Sequence, residues 1–451
     1  MGYHKLGDSD NTYGLIAYDR DGNERLEAGG KFSQKLIEEI SSQPITNVFL
    51  FSHGWKGDIP AAIEQYDRWI GALMKSPDLK KAQQVFPGFR PLFIGLHWPS
   101  LPFGSEEARA DGSFAASGGT GPDQMLAEYL ERFGDRPEIR GPLETILKEA
   151  KTNMSPDTLP DSVRQAYLDL NKALGLASGG GLSAPLDADR EPFDPEDAYQ
   201  AGNEEGANFG DFNPFSGILG VLRQLSYFKM KNRARTVGEV GMHQFLKDLQ
   251  TATAGKGTRI HLMGHSFGTI VISGMLGGPN GRGPLVRPVD SVVLAQGALS
   301  LWSYAPDIPF KKAGPGYFSR ILADGKIAGP LVTTQSRFDR AVGLCYPIAS
   351  GVHGSASFGG VGGNPELGAI GAYGIQGLGE QIQSDIAMLP ADGTYGFEAG
   401  KVYNLESSKY ICHGDDAFSG AHCDIGGPEV AHAIWEAAFA SAPQRVSASA
   451  H

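Results

Sequence analysis

The feature that most restricts the fold of this 451-residue chain is a short apolar segment that ends in Gly-x-Ser-x-Gly and continues into a second apolar segment. The first has the pattern of a buried strand and the second that of a helix, so Ser266 is expected at a sharp strand-to-helix turn. Gly264 and Gly268 lie two residues to either side, where we expect neighbouring backbone to exclude larger side chains. The pattern consists of Ile260, Leu262 and Met263 before the turn and Ile270, Val271, Ile272 and Met275 after it.

The Gly-x-Ser-x-Gly pattern carries little weight by itself. Because the chain has 62 glycines, about 0.6 matches are expected from composition alone. The flanking patterns raise its value, since a serine in such a turn presents its hydroxyl at the top of a sheet. We therefore expect Ser266 to be a nucleophile; the alternative is a structural glycine-rich turn.

Apolar runs of strand length alternate with helical periodicity on both sides of a long middle region. This alternation predicts an α/β fold with a doubly wound, mostly parallel sheet that is covered on both faces. A strand over Thr12–Ala17, with Asp21-Gly22 behind it, predicts a β-hairpin with residues 25–27. Besides the strand before Ser266, the predicted strands of the parallel sheet are 45–51, 92–96, 289–295, 331–334 and 402–405.

Between residues 101 and 235 this alternation stops, and helical pieces are separated by clusters of Gly, Pro and Ser. We interpret the region as a large, mainly helical cap, which divides the chain into core 1–100, cap 101–235 and core 236–451. The acidic stretch 187–205 predicts a solvated loop. Residues 217–230 predict a helix that packs the cap onto the core or, alternatively, lines an acyl pocket. Helical spacing also covers 124–133, 143–151 and 162–174.

A nucleophilic serine needs a base to take its proton and an acid to orient that base. In a sheet of this kind the acid follows a strand that comes after the nucleophile, and Asp339 stands directly after the strand at 331–334. Asp307, which follows the strand at 289–295, is the reserve candidate. Asp324 precedes the strand at 331–334 and Asp290 stands at the start of the strand at 289–295, so we expect both at the opposite edge of the sheet.

The base is expected in the loop between the last strand and the last helix, which contains His413 and His422. His422 is favoured because it lies in a compact turn into the closing helix, whereas His413 is nearer the strand end. The alternative for His422 is a polar loop residue bonded to backbone groups. His432, at helical spacing in the closing helix, is expected to be a packing or surface residue.

Hydrolysis of an ester also requires two backbone N–H groups that face the developing oxyanion. We expect one from Phe267, directly after the serine, and the other from Trp55, at the end of a His53-Gly54-Trp55 loop that follows an early strand. His53 is expected to brace this loop rather than to act as an acid or base. The supporting residues of the site are His53, Gly54, Gly264, His265 and Gly268.

In these motifs the chain resembles the α/β-hydrolase superfamily, within it a bacterial branch of serine esterase-like and lipase-like hydrolases of largely unknown function. The resemblance rests on Phe-Ser-His-Gly-Trp at 51–55, Trp-Pro-Ser at 98–100, Gly-His-Ser-Phe-Gly at 264–268 and Gly-Ala-His-Cys-Asp-Ile at 420–425. It covers residues 10–100 and 235–440 and leaves out the cap. It implies a triad of Ser266, Asp339 and His422 with oxyanion donors at Trp55 and Phe267, and neither a metal nor an organic cofactor.

The expected reaction is hydrolysis of a carboxylic ester, of a small molecule or a lipid-like compound, through an acyl-enzyme. Thioester, lactone, amide and phospholipid acyl bonds remain alternatives on the same machinery. A different class of function is a catalytically silent module of this fold that binds a ligand or partner through the cap. The cap is expected to determine the substrate.

Charge and cysteine content exclude some other classes. The 39 basic and 51 acidic residues give a formal net charge of −12, which argues against a nucleic-acid partner. The three cysteines, Cys345, Cys412 and Cys423, are too sparse for a disulfide framework and indicate a reducing compartment. We expect a cytoplasmic protein without a transmembrane segment, with export of a processed form as the alternative. The oligomeric state is left open.

Overall fold

A computed structural model describes residues 2–7, 11–27, 29–55, 59–100, 122–176, 192–204, 216–310, 314–346, 366–414 and 419–441. Its centre is a nine-stranded sheet in the order β1-β2-β4-β3-β5-β6-β7-β9-β8. The pair β1 and β2 is antiparallel, and every other neighbouring pair is parallel, so the predicted α/β class and mostly parallel sheet are confirmed. The strands are β1 (Gly2–Lys5), β2 (Thr12–Ala17), β3 (Asn47–Ser52), β4 (Pro91–His97), β5 (Arg259–His265), β6 (Ser291–Ala295), β7 (Leu331–Gln335), β8 (Gln383–Ala387) and β9 (Val402–Glu406).

Helices cover both faces of the sheet, because successive residues of a buried strand point to opposite sides. In β3, Val48 and Leu50 belong to one hydrophobic core, and Phe49 and Phe51 belong to the other. The first core also contains α1 (Phe32–Ser42), α4 (Pro122–Phe133), α5 (Pro137–Thr152), α6 (Asp161–Ala173), α7 (Pro195–Glu204), α8 (Gly217–Val237), α9 (His243–Ala252), α10 (Gly268–Gly277) and α11 (Ser319–Ala323). The second contains α2 (Ile59–Lys75), α3 (Asp78–Val85) and the C-terminal helix Pro428–Phe439.

The hairpin expected after β2 is reduced to a single antiparallel bridge between Tyr18 and Glu24, beside which the Arg25 N–H donates to the Ala17 carbonyl oxygen at 2.7 Å. Both edges of β2 itself are already paired, antiparallel with β1 and parallel with β4, and residues 25–27 form no strand. The chain instead turns back through the Asp19 carboxylate, whose Oδ1 accepts hydrogen bonds from the backbone N–H groups of Asp21 and Asn23, both at 2.9 Å. The turn was predicted correctly, and its partner strand was not.

The expected solvated loop at 187–205 is wrong for its described part, because α7 occupies Pro195–Glu204. Asp194 Oδ1 accepts from the backbone N–H groups of Glu196 at 2.8 Å and Asp197 at 3.1 Å, so the carboxylate caps the start of the helix. Tyr199 is buried beneath it. The acidic residues therefore initiate a helix here.

The expected helix at 217–230 is present but longer. It is α8, Gly217–Val237, and it continues through a π-helical turn at Gly238–Met242 into α9. Sixteen of its 21 residues are buried, Lys231 and Arg233 among them, so α8 is enclosed around most of its circumference and packs within the first core. Residue 235, where the cap was expected to end, lies inside this helical segment. None of the helices in the described ranges combines the length and apolar character that crossing a bilayer requires.

Candidate active site at the carboxyl edge of the sheet

The predicted site residues all follow the carboxyl ends of parallel strands. His53 follows β3, Ser266 follows β5, Asp339 lies four residues after β7, and His422 lies in the segment that follows β9. Because β3, β5, β6, β7 and β9 run parallel in neighbouring positions, their carboxyl ends share one edge of the sheet. Side chains from four distant parts of the chain are thereby collected in one region.

Ser266 occupies the sharp turn between β5 and α10 with a left-handed backbone conformation, φ 55°. A non-glycine residue in this conformation costs on the order of 1–3 kcal/mol. The two flanking glycines are required sterically: a Cβ on Gly264 would lie 2.6 Å from the Gly268 carbonyl oxygen, and one on Gly268 would lie 2.2 Å from the Ser52 carbonyl oxygen. The strained serine is thus held between β3 and β5.

Asp339 and His422 form a direct pair, with 2.7 Å between His422 Nδ1 and Asp339 Oδ2. Asp339 is fully buried. Its Oδ2 also accepts from Gln296 Nε2 at 2.8 Å, and its Oδ1 accepts from the Val342 N–H at 3.1 Å. Because His422 Nδ1 faces the carboxylate, Nε2 is the ring nitrogen that remains for proton transfer.

The two loops that carry this pair are joined through their backbones. The Ala421 N–H donates to the Phe338 carbonyl oxygen at 2.9 Å, next to a bridge between Asp339 and Gly420. Gly420 has φ 55°, and a Cβ there would lie 2.4 Å from the same Phe338 oxygen. The glycine therefore permits the close approach of the loops that brings His422 to Asp339.

His265 links the serine turn to the histidine loop. Its Nε2 lies 2.8 Å from the His422 carbonyl oxygen, and its Nδ1 lies 3.0 Å from Gln65 Nε2. Since a carbonyl oxygen only accepts, Nε2 carries the hydrogen and Nδ1 accepts from Gln65. Burial lowers the pKa of His265 well below the usual histidine value, and the charge of the nearby His422 adds to the shift. His265 is therefore neutral and connects the serine turn to the backbone of the His422 loop. Both Ser266 and His422 lie in the described ranges, and no hydrogen bond joins Ser266 Oγ to His422 Nε2. In sites without a bound substrate, the distance between a nucleophile and its base is often longer than a hydrogen bond.

The Gly54 loop lies against the serine: a Cβ on Gly54 would be 2.6 Å from Ser266 Cβ. The Gly54 carbonyl oxygen accepts from His53 Nδ1 at 2.8 Å and from Ser100 Oγ at 3.0 Å. No peptide bond in the described chain is cis, so the Trp55 N–H points away from that clamped carbonyl. The clamp thus fixes the direction of the N–H that was predicted as an oxyanion donor.

His53 is itself held in one tautomer. Its Nδ1 donates to the Gly54 carbonyl oxygen, so Nε2 accepts, from the Trp98 N–H at 3.3 Å and from His97 Nδ1 at 3.0 Å. Burial is the largest cause that lowers the pKa of His97 to about 2, and the repulsion that two protonated rings, His97 and His53, would exert on each other is the next. A neutral pair of histidines therefore braces the loop.

Aromatic rings surround the two predicted oxyanion donors. The Trp55 and Phe267 rings lie 5.4 Å apart, and the Tyr227 ring from α8 lies 5.7 Å from the first and 5.0 Å from the second, centroid to centroid. Helix α8 thus packs onto the core and brings the Tyr227 ring against the rings of both residues that carry the predicted donors. Both roles that were considered for this helix are compatible with its position.

The candidates that were set aside lie elsewhere. Asp290 accepts from the Ile260 N–H at the start of β5 and pairs with an arginine, and Asp324 pairs with Arg320 after α11. Asp307 is exposed.

The other candidate histidines also lie away from the site. The side chain of His413 is 87% exposed and faces Asp424, and His432 is buried against Asp78. Of these histidines and acids, only His422 and Asp339 are paired at the carboxyl edge near Ser266.

The contributing side chains whose roles were not predicted include Gln296, Ser100, Gln65 and His97. Gln296 had a usable signal, because it is a polar residue directly after β6, at the same edge as Ser266. Its own turn is left-handed, φ 45°, and Thr334 Oγ1 donates to its Oε1 at 2.9 Å. Ser100 belongs to the Trp-Pro-Ser motif, but the motif does not reveal its bonding partner, which lies 46 residues away. Gln65 carries no comparable signal, since its partner lies 200 residues away.

Comparison of the chain with protein-family models, with curated proteins and with solved structures found no match. The functional inference therefore depends on the geometry of this edge.

Proposed function

We propose that this chain is a serine hydrolase of the α/β-hydrolase type that cleaves a carboxylic ester through an acyl-enzyme. The observation that carries the proposal is the buried Asp339–His422 pair, at 2.7 Å, joined through His265 to the strained turn that holds Ser266. A structural glycine-rich turn has no need of a paired histidine and carboxylate at the same edge of the sheet. The combination matches what a serine nucleophile requires.

In the proposed reaction, Ser266 Oγ attacks the ester carbonyl carbon while its proton passes to His422 Nε2. The negative charge that develops on the carbonyl oxygen is stabilised by the Trp55 and Phe267 N–H groups. The tetrahedral intermediate expels the alcohol, which takes the proton from His422. Water then attacks the acyl-enzyme with His422 again as the base, and the acid is released. Asp339 remains ionised throughout and holds the Nδ1–H of His422.

An apolar acyl group is the proposed substrate part. The rings of Trp55, Phe267 and Tyr227 pack together at the residues that carry the two predicted oxyanion donors, with centroids at most 5.7 Å apart, and aromatic surface of this kind binds apolar chains. A small-molecule or lipid-like ester remains the proposed substrate class, and a cytoplasmic location, inferred from the sparse cysteines, is part of the proposal. Thioesters, lactones and phospholipid acyl bonds are substrates that the same residues would attack.

Hydrolysis of p-nitrophenyl esters of graded acyl length tests the proposal. Ser266→Ala is expected to lower kcat by at least on the order of 10⁴, with unchanged thermal unfolding. His422→Ala is expected to lower kcat far more than His413→Ala. Ester cleavage by Ser266→Ala at the wild-type rate, or a larger loss in His413→Ala than in His422→Ala, would contradict the assignment.

A further inference from the structure

A second cluster of chemically reactive side chains lies in the segment that carries His422. Cys412 Sγ lies 3.5 Å from His413 Nδ1, which in turn lies 3.3 Å from Asp424 Oδ2. All three potential ligand atoms lie within 4.8 Å of one another. The serine mechanism uses none of them.

Two of the three separations between these ligand atoms agree with those expected around one tetrahedral zinc ion, and the third, between Cys412 Sγ and Asp424 Oδ2, is at most 4.8 Å. With Zn–S of about 2.3 Å and Zn–N and Zn–O of about 2.0 Å, the edges of a tetrahedron are about 3.5 Å from S to N and about 3.3 Å from N to O. The two measured separations match both values. A thiolate together with an imidazole selects zinc or a similar transition metal over magnesium or calcium.

Backbone hydrogen bonds position the Asp424 carboxylate beside the other two ligands. Asp424 Oδ2 accepts from the backbone N–H of Cys412 at 3.0 Å and from that of His413 at 2.9 Å, which fixes it beside the other two ligands. The His413 side chain is 87% exposed, so a bound ion is open to solvent and a water would complete four ligands. A metal entering here needs no rearrangement of the core.

The other cluster of this type in the described chain lacks these properties. In Asp78, His432 and Glu436, His432 Nδ1 faces Asp78 at 2.7 Å and Nε2 faces the Gly393 carbonyl oxygen at 3.0 Å, so both ring nitrogens are occupied. The Lys81 ammonium already neutralises Glu436 at 2.5 Å. That cluster is a buried structural network that supplies its own cation.

We propose that Cys412, His413 and Asp424 form a binding site for one zinc-type divalent ion. Binding replaces the thiol proton of Cys412 by the metal and releases that proton to solvent. Because Asp424 follows His422 by two residues, the ion would tie residues 412–413 to the turn that carries His422. The proposal stands independently of ester hydrolysis.

Titration of the full, reduced and chelator-treated chain with Co²⁺ tests the site, since a cobalt–thiolate bond gives a charge-transfer absorption band in the near ultraviolet. We expect one Co²⁺ per chain, displaced by Zn²⁺. Cys412→Ser should abolish the band. His413→Ala, at an exposed position, removes a ligand and should weaken Co²⁺ binding by more than ~100-fold. Loss of a residue that only supports a ligand costs ~10–100-fold.

Two further variants make the test specific. Asp424→Asn keeps an oxygen acceptor for the two backbone N–H groups, so it retains the loop and should weaken binding through lost charge alone. Cys423→Ser removes the adjacent thiol and should leave stoichiometry and band unchanged. The proposal is overturned if the wild type shows no thiolate band, if Cys423→Ser rather than Cys412→Ser abolishes it, or if His413→Ala binds Co²⁺ as the wild type does.

Discussion

Both carboxylate oxygens of Asp339 are occupied inside the protein. Oδ2 accepts from His422 and Gln296, and Oδ1 accepts from the Val342 N–H. A buried ionised carboxylate needs such donors, since desolvation without them would favour its neutral form. Gln296 therefore acts as a positioning residue: it stabilises the charged acid and leaves the Asp339–His422 contact in one geometry.

Replacing Gln296 by Leu is expected to lower kcat by about 10–100-fold, because a hydrogen bond to a charged group contributes about 1.5–3 kcal/mol. KM should change little, since Gln296 lies behind the acid. Steady-state ester hydrolysis measures both constants. Gln250→Leu is the matched control, because Gln250 is a fully buried glutamine that bonds to the backbone at Val286 and Arg287. Its loss should lower stability and leave kcat unchanged; equal kcat in Gln296→Leu and wild type would contradict the role of Gln296.

At the scale of the elements, the loop after β3 is held by a contact from the segment that follows the neighbouring strand β4. Its Gly54 carbonyl oxygen is clamped by His53 from the same loop and by Ser100 from the end of β4. Two donors on one carbonyl determine the orientation of the peptide that follows, and with it the Trp55 N–H. The clamp is an interaction between elements, because β3 and β4 are neighbours in the sheet.

Ser100→Ala removes one of the two donors. A net contribution of about 0.5–1.5 kcal/mol per hydrogen bond corresponds to a loss of about 2–10-fold in kcat. The loss is expected in kcat rather than KM because the N–H acts on charge that develops only in the transition state. Ser100→Thr restores the hydroxyl and should restore most of kcat. Ser42→Ala, which removes a hydroxyl bonded to a backbone carbonyl oxygen on α1, should have no effect; a rise in KM alone for Ser100→Ala would argue against the clamp.

Sequence patterns predicted the central elements and missed those at the sheet edges. Strands β3 to β6 are mostly apolar because both of their faces are covered, and β7 and β9, LVTTQ and VYNLE, are buried over four of their five residues. This makes them recognisable. The edge strands β1 and β8 have half-exposed, polar sequences, GYHK and QSDIA, and become strands only by pairing with β2 and β9. Edge strands carry no pattern of their own.

The same contrast applies to the site. Ser266, Asp339 and His422 follow recognisable elements in a fixed order, so the sequence predicts their roles. The position of Gln296 directly after β6 places it at the correct edge, but its bond to Asp339, like the bond of Ser100 to the Gly54 carbonyl oxygen, exists only after the loops are folded against each other. These bonds span 43 and 46 residues, so the partners cannot be inferred from local patterns.

At the scale of the whole molecule, several histidines are buried in the neutral form. Burial lowers the pKa of His97 to about 2 and that of His261 to about 3, and it lowers the pKa of His265 well below the usual value. The unfolded chain takes up protons on these residues below about pH 6.5, whereas the folded chain does not. The unfolded state then binds more protons, so stability falls as the pH falls.

Between about pH 6 and pH 4, the free energy of unfolding should fall by roughly 4 kcal/mol for each pH unit because of these three residues, at ~1.4 kcal/mol per pH unit for each proton. Urea unfolding across this range measures the slope. His261→Gln should reduce this slope by the share of one proton, ~1.4 kcal/mol per pH unit. His261 suits the test because it is buried between Asn47 and Ser291, remote from the Asp339–His422 pair. A slope unchanged by the substitution, or stability that rises on acidification, would contradict this account.

Labelling with a fluorophosphonate tests the central claim most directly, because the probe forms a phosphorus–oxygen bond with an activated serine and releases fluoride. The folded chain is expected to gain one adduct, found by peptide mass spectrometry on Ser266. Urea-unfolded chain and Ser266→Ala should gain none, and His422→Ala should react far more slowly. Absence of labelling in the folded wild type, or an adduct on any other residue, would contradict the proposal that Ser266 is an activated nucleophile.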